Sequence, residues 1–339
     1  MKTLTVFTPT YNRAHTLGRT FASLCRQTCH DLEWLIIDDG SSDGTREMVE
    51  AWGHQVACQV KDVDWMGRKG NLDESNLNQM KAEPRHFSIE VPFERGEGNL
   101  KITYLYKENG GLYTGYNAAY ANVDTELCVC IDSDDYMPDD AVEKILKCWK
   151  EQGSEKYAGI LGWDYNIATK ELIGGKFPEG LNEVYFYDLT LKKLHGGDTK
   201  PVLRTALMKE VAPQVGFPGE KNFNPVYLML QVCDSYPILL LNENLCNVEY
   251  QIGADSMSQG IWRQYVNSAR SFAKLRLLEM SLNHNTWGNK MRVCIHYISS
   301  CLLSKDGEWL KKSPLKILTF LMAPAGLCLY LLVLWKNRK

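Results

Sequence analysis

The sequence predicts an α/β fold: one mostly parallel sheet with flanking helices and a C-terminal helical, apolar extension. Two observations carry this. Short apolar runs alternate with helical-period segments from residue 4 to about residue 150. Three of those runs end in loops that bear polar or acidic groups, Thr8-Pro-Thr-Tyr-Asn12, Asp38-Asp-Gly-Ser-Ser-Asp43 and Asp132-Ser-Asp-Asp135. Apolar runs without polar alternation suit strands buried on both faces. Parallel strands end on one edge of their sheet, so the three loops can surround one crevice.

The elements follow in order. Leu4–Thr8 reads as a first strand, broken by Pro9-Thr-Tyr-Asn12, and Leu17, Phe21 and Leu24 then recur at helical spacing. Trp34–Ile37 is a second strand, and the turn-rich loop after it leads into a helix carrying Met48 and Val49. Ile102–Tyr106 is a strand, Leu112, Tyr116, Ala119, Tyr120 and Val123 mark a helix, Leu127–Ile131 is a strand, and Val142, Ile145, Leu146 and Trp149 mark another helix. Such alternation implies right-handed βαβ units. Between about 64 and 100 the pattern dissolves into an insertion that reads equally as a hairpin, a flap or an interaction surface. Later, Ile160–Trp163, Val184–Tyr187 and Ile238–Leu241 read as strands, Ile261–Leu282 as one long amphipathic helix, and Val293 to Leu303 as another.

With 339 residues and 45% apolar content, the chain can bury a large core. A net charge of −3 argues against a nucleic-acid binder. The 11 cysteines have no zinc or disulfide spacing, which points to reduced thiols in a cytosolic compartment, and the N-terminus leads straight into a strand without a signal-peptide pattern. Ile317–Trp335 contains no charged residue, is flanked by lysines on both sides, and is interrupted by Pro324 and Gly326. It is close to the ~20 residues that cross a bilayer, and it reads as a membrane-associating tail that spans or lies in the interface, or as a buried terminal helix.

The acids after the fourth strand point to chemistry. Asp132, Asp134 and Asp135 are close enough to repel one another unless a cation sits among them. A divalent ion with oxygen ligands suits them and would hold a phosphate-bearing substrate. The plainer alternative is that they only precede the helix start at Pro138-Asp-Asp140.

Four segments together resemble a known family: Val6-Phe-Thr-Pro-Thr-Tyr-Asn-Arg13, Ile36-Ile-Asp-Asp-Gly-Ser-Ser-Asp-Gly-Thr45, Asn109-Gly-Gly111 with Asn117, and Ile131-Asp-Ser-Asp-Asp135. Over about residues 1–150, apart from the insertion, the chain is similar to family 2 glycosyltransferases with the GT-A fold, the Rossmann-like fold of nucleotide-diphospho-sugar transferases. The resemblance implies inverting transfer of a sugar from a nucleotide-diphospho-sugar, most commonly a UDP-sugar, to a hydroxyl of a glycan or lipid-linked acceptor in bacterial surface glycan synthesis. It implies donor contacts from Thr8, Pro9, Tyr11, Arg13, Asp39, Asn109, Gly110, Gly111, Asp132 and Ser133. Asp38 would orient its loop, and Ser41, Ser42 and Asp43 would cap the helix that follows. Asp134, with Asp132, would hold Mn2+ or Mg2+, supported by Asp135. Leu112 stands where many relatives carry Lys, leaving Lys107 or Arg13 as stand-ins.

By the same resemblance, a base in Phe217-Pro-Gly-Glu-Lys-Asn-Phe223 would be Glu220, with Lys221 in the place of the usual second acid. Asp198, near Arg204, is the second candidate. The implied domains are 1–255 for the GT-A domain, 256–312 for C-terminal helices and 313–339 for the tail, with the protein on the cytoplasmic face of the cell membrane. Two readings compete. One is a non-catalytic sugar-nucleotide-binding or membrane scaffold protein. The other is a nucleotidyltransferase, which the absence of glycine from Pro9–Arg13 disfavours. A dehydrogenase would need G-x-G-x-x-G there.

Overall fold

The computed structural model describes residues 2–57, 86–249 and 260–337. Four strands, β1 (Leu4–Thr10), β2 (Leu32–Asp38), β4 (Asn99–Tyr106) and β5 (Leu127–Cys130), run parallel in the order β4-β2-β1-β5. They belong to a ten-stranded sheet. All seven residues of β1 are buried, as its apolar run requires. The strand continues two residues beyond the predicted Thr8, because Pro9 and Thr10 still pair with Ile37 and Asp38. At the outer edge, β3 (His86–Pro92) pairs antiparallel with β4, so the described part of the 64–100 insertion is a hairpin. The rest of that insertion, up to residue 85, lies outside the described residues.

The strand period of two separates two cores. Leu4, Val6, Trp34 and Ile36 face one side, with Leu17, Phe21 and Leu24 of α1 (Ala14–Cys25), Trp52 of α2 (Thr45–Ala57), and Val142, Ile145 and Trp149 of α4 (Ala141–Gln152). The Phe21 and Trp52 rings stack with centroids 4.0 Å apart. Phe7, Leu35 and Ile37 face the other side, with Ala119 and Tyr120 of α3 (Leu112–Asn122), Leu207 and Met208 of α6 (Thr205–Val211), and Leu228 and Met229 of α7 (Val226–Cys233). Each fully buried large apolar side chain stabilises the fold by about 1.5–3 kcal/mol.

Beyond β5, β9 (Thr199–Arg204) inserts antiparallel between β5 and β6 (Gly159–Asn166), and β10 (Ile238–Val248) returns parallel to β6. Two-residue strands β7 (Glu171–Leu172) and β8 (Glu183–Val184) finish this side. The predicted Val184–Tyr187 strand is therefore corrected: it stops at Val184, and α5 (Phe186–Leu191) begins two residues later.

The predicted long helix over 261–282 is two helices, α8 (Ile261–Asn267) and α9 (Ala269–Ser281). Ser268 breaks it, with φ −134° and ψ 38°. α9 and α10 (Trp287–Leu303) form a third core, containing Met280, Val293, Tyr297 and Ile298. The final segments are α11 (Trp309–Lys312), α12 (Lys316–Leu321) and α13 (Ala323–Asn337), and Leu315, Leu318, Met322 and Ala323 pack onto that core. Pro324 lies in the first turn of α13, where its missing N–H costs nothing. No helix among the described residues is long and apolar enough to cross a membrane. A separate cluster joins Phe223 and Leu230 to Leu275 and Leu282. All ten cysteines among the described residues are free thiols.

Candidate functional site

The carboxyl ends of β1, β2, β4 and β5 lie on one edge, and the first two loops there interlock. Asn12, in the left-handed region at φ 53°, donates its backbone N–H to Ser41 Oγ (2.8 Å), and its side-chain oxygen accepts from Ser42 N (2.8 Å). Asp43 accepts from Ala14 N at 2.9 Å and from Thr45 at both N and Oγ1. Of the three predicted caps, only Asp43 serves α2, while Ser41 and Ser42 tie the β2 loop to the β1 loop. Asp38 is buried and accepts from Ser41 N (2.7 Å) and from Tyr104 OH. The Tyr104 hydroxyl is pushed far up by burial and by Asp38 beside it.

The β1 loop is partly structural. Thr8 has no exposed surface, and its hydroxyl accepts from Trp34 Nε1 at 2.9 Å. Pro9 is buried beneath Gly115 of α3. Both side chains are packed within the fold, because strand burial continues past the point where the apolar run was read to end. Tyr11 is 49% exposed and presents a free ring at the edge.

Asp39 organises the β4 loop. Its Oδ1 accepts from Gly110 N and its Oδ2 from Gly111 N, both at 2.9 Å, and Lys107 Nζ closes onto Oδ1. Lys107 also donates to Thr114 Oγ1 at 2.7 Å, so its ammonium is committed to this turn. Gly111 has φ 93° and ψ 163°, a region that only glycine visits readily, and a Cβ there would lie 2.1 Å from the Lys221 carbonyl oxygen. Lys221 Nζ reaches Asn109 Oδ1 at 2.5 Å. Asn117 exchanges two hydrogen bonds with the Gln214 backbone, at 2.8 and 2.9 Å. Segment 214–222 is therefore fixed over the Asn109-Gly110-Gly111 turn.

In the β5 loop, Asp135 N donates to Asp132 O (2.9 Å) to form a tight turn. Arg19 Nη2 and Thr20 Oγ1 hold the carbonyls of Asp134 (3.2 Å) and Asp135 (2.7 Å). Asp132 is exposed, Asp134 half-buried, and Ser133 and Asp135 buried. Burial, then the neighbouring Asp132 charge, raises the Asp134 carboxyl, while Arg13 and Arg19 oppose the rise. Behind it, burial pushes Asp135 up to about 7 and Asp164 up to about 6. The buried Lys200 ammonium lies 3.9 Å from each and pulls both down. Sequence reading missed Lys200 and the whole of β9, since a lysine in a short polar stretch does not look like a central strand.

No three His, Cys, Asp or Glu side chains converge as a metal cage among the described residues. None is needed for Mg2+-type binding, which takes one or two carboxylates and fills the remaining positions with phosphate and water. Asp132 and Asp134, opposed by repulsion and open to one side, fit that role.

Glu220 stands differently from expectation. Its Oε1 accepts from Arg270 N and Nε, both at 3.0 Å, and its Oε2 from Ser271 N (2.8 Å) and Ser271 Oγ (2.7 Å). These are the second and third residues of α9, whose own Ncap Ser268 supplies no side-chain cap. Glu220 is thus a buried helix cap contributed from 50 residues away, with its acceptor sites occupied. This corrects its assignment as a free base. Asp198, the alternative, is exposed at the start of β9, on the same sheet edge, with its charge acting on Asp164. Arg204 lies at the other end of β9 and donates to Glu155 O at 3.0 Å, away from the crevice. A cavity of 480 Å³ lined by Asp124, Glu126, Arg204 and Lys209 also lies at that opposite edge.

Residues 5–73 and 93–164 match the model of glycosyl transferase family 2. Over these residues, in its N-terminal half, the chain is similar to that family. The matched region carries all four loops of this edge. Among curated relatives, validoxylamine A glucosyltransferase of Streptomyces hygroscopicus subsp. jinggangensis is 49% identical over 51 residues, 14% of this chain and 12% of that protein. Chondroitin synthase of Pasteurella multocida is 26% identical over 144 residues, 42% of this chain and 10% of that protein. The matches span about a tenth of these relatives' length. In fold, the chain is similar to S. aureus TarS residues 1–349, with TM-score 0.58 and 14% identity over 100% of this chain and 91% of that one. The same protein in complex with UDP-GlcNAc gives TM-score 0.55 and 16% identity over 100% and 92%. At such identity the likeness is one of fold, and it establishes the GT-A architecture.

Proposed function

We propose that this protein is a metal-dependent inverting glycosyltransferase that moves a sugar from a nucleoside-diphosphate donor to a hydroxyl acceptor in glycan synthesis. The observation that carries this is the Asp132 and Asp134 pair at the end of β5, beside Arg13 and Arg19 and on the same edge as the Asp39-bound glycine turn. Mn2+ or Mg2+ bound there would act as a Lewis acid on the leaving diphosphate. Arg13 adds positive charge on the same side. Tyr11 offers its exposed ring to the base or ribose, and Gly110 and Gly111 allow the donor to approach the backbone closely. A single displacement needs one base and no enzyme nucleophile. Asp198, exposed on this edge, is the carboxylate we assign to the acceptor's proton. TarS has been captured with UDP and with UDP-GlcNAc, which supports a UDP-sugar here. The acceptor class we assign is a glycan or a lipid-linked glycan precursor.

Lys221 in the place of an acid favours a second reading, a sugar-nucleotide-binding protein without turnover. One experiment separates them. Purified protein is incubated with a UDP-sugar panel and Mn2+, following UDP release and donor binding. We expect metal-dependent UDP release that falls about a hundredfold or more in Asp134→Asn. Binding without release supports the second reading. Release that is unchanged by chelator and by Asp134→Asn defeats the proposal.

A further inference from the structure

Thirteen large apolar side chains are exposed among the described residues, and eleven of them lie between Ile261 and Trp335. Scattered exposure is ordinary, whereas concentration on one region marks a surface that is covered in use. Seven of the eleven belong to α12 and α13.

One face of each helix is already occupied. Thr319 of α12 and Val333 of α13 are fully buried. Gly326 lies so close to α10 that a Cβ would come 2.6 Å from the Ile298 side chain. Asn337 Nδ2 donates to the Trp262 carbonyl at 2.9 Å. Both helices thus turn their buried residues to the same helical layer, and their exposed residues share the outward side. On α13 these include Leu327, Leu331 and Trp335, spaced four apart on one stripe. On α12 they include Ile317, 81% exposed, and Phe320, 64% exposed.

Lys316 and Lys336 flank this stripe, while Lys311 and Lys312 pair with Glu308 and Asp306 just before it. From Trp309 to Asn337 the sequence contains Lys311, Lys312, Lys316 and Lys336 and no Asp or Glu, in a chain of net charge −3. The Lys336 ammonium lies 5.1 Å over the ring of Trp335, an arrangement suited to a headgroup boundary. α13 has 15 residues, a length of about 22 Å against a hydrocarbon core of about 30 Å.

We propose that α12 and α13 form a docking face that seats on an anionic lipid leaflet without crossing it. The apolar stripe enters the acyl boundary while the lysines at both ends meet headgroup phosphates. A second copy of the chain fits less well. Lysines at both ends of the stripe would meet lysines in either orientation, whereas anionic lipid neutralises them. This docking is independent of the transferase reading, and its test involves no turnover.

The test is co-flotation of the full-length protein with vesicles of phosphatidylcholine mixed with phosphatidylglycerol, and with phosphatidylcholine alone. We expect binding to the mixed vesicles, weakened by salt and by omission of the anionic lipid. Phe320→Glu combined with Leu331→Glu should weaken it at least about tenfold with the melting temperature unchanged, because both side chains are exposed. Lys316→Glu combined with Lys336→Glu provides an independent variant, which should remove the preference for anionic vesicles. Absence of flotation with mixed vesicles overturns the proposal, as does parental binding by the Phe320/Leu331 variant. Self-association in sedimentation velocity that this variant abolishes would assign the face to a second copy and overturn it too.

Discussion

Replacing Glu220 by Gln separates a helix cap from a catalytic base. The carboxylate accepts two donors on each oxygen, three of them backbone or guanidinium N–H groups. A glutamine keeps one acceptor oxygen and turns an amide NH2 toward the other pair of donors; facing Arg270 it loses two bonds, and facing Ser271 it loses the one to the backbone N–H, since the Ser271 hydroxyl can turn to accept. Hydrogen bonds to a charged group contribute about 1.5–3 kcal/mol each. The Arg270 side chain is 44% exposed, so its ion pair is discounted. The expected loss of stability is about 3 kcal/mol, or a fall of roughly 4 °C in melting temperature for a chain of this size. Calorimetry gives the melting shift, and kcat for UDP release is measured well below the transition. A cap predicts a large melting shift with kcat within a few-fold of the parent. A base predicts a fall in kcat of about 10²–10⁴-fold. A hundredfold loss of kcat with unchanged melting would refute the capping argument.

Three further perturbations test other parts of the site and fold. Gly111→Ala forces a side chain into a glycine-only conformation, costing about 1–3 kcal/mol, and drives a Cβ into the Lys221 carbonyl; lower melting temperature and weaker UDP binding by titration calorimetry are expected together. Lys200→Met leaves Asp135 and Asp164 buried without their shared cation, costing about 3–5 kcal/mol near pH 8. Because burial holds those two acids up to about 7 and about 6 even with Lys200 pulling them down, and its loss raises both further, the Lys200→Met deficit should shrink as pH falls toward this range and the variant's acids take up protons. His296 is pushed down to about 4, first by burial and then by Arg276 and Arg292, so it stays neutral in the fold while the unfolded chain protonates near 6.5. The unfolded state then binds the extra proton, and the contribution of His296 to stability, present above about 6.5, should be lost as pH falls toward 4; denaturant titrations across that window should show the slope, and His296→Gln should reduce it.

The sheet was legible because the information is local. Strands such as Val6-Phe7 and Leu35-Ile36-Ile37 are buried on both faces, and no other arrangement suits so many consecutive apolar residues. The loops were legible because Asp38, Asp39 and Asn12 stand at fixed steps from strand ends. What was misread depends on partners far along the chain. Glu220 looked available because its donors come from residues 270 and 271. Ser268 looked helical because the carboxylate that caps the helix starting after it belongs to another segment. Strand β9 was hidden by Lys200, whose burial is tolerable only beside Asp135 and Asp164. Thr8 looked like a ligand because only the fold brings Trp34 to its hydroxyl.

The Glu220 clasp and the shared packing of Phe223 and Leu230 with Leu275 and Leu282 have a practical consequence for any recombinant fragment. A gene truncated after residue 255 would encode every loop of the candidate site, yet strand the Glu220 carboxylate without donors and bare the aromatic and leucine surface beneath it. Such a product should precipitate on expression. The smallest workable unit of this protein therefore retains at least α9, because the transferase half borrows part of its interior from the helices that follow.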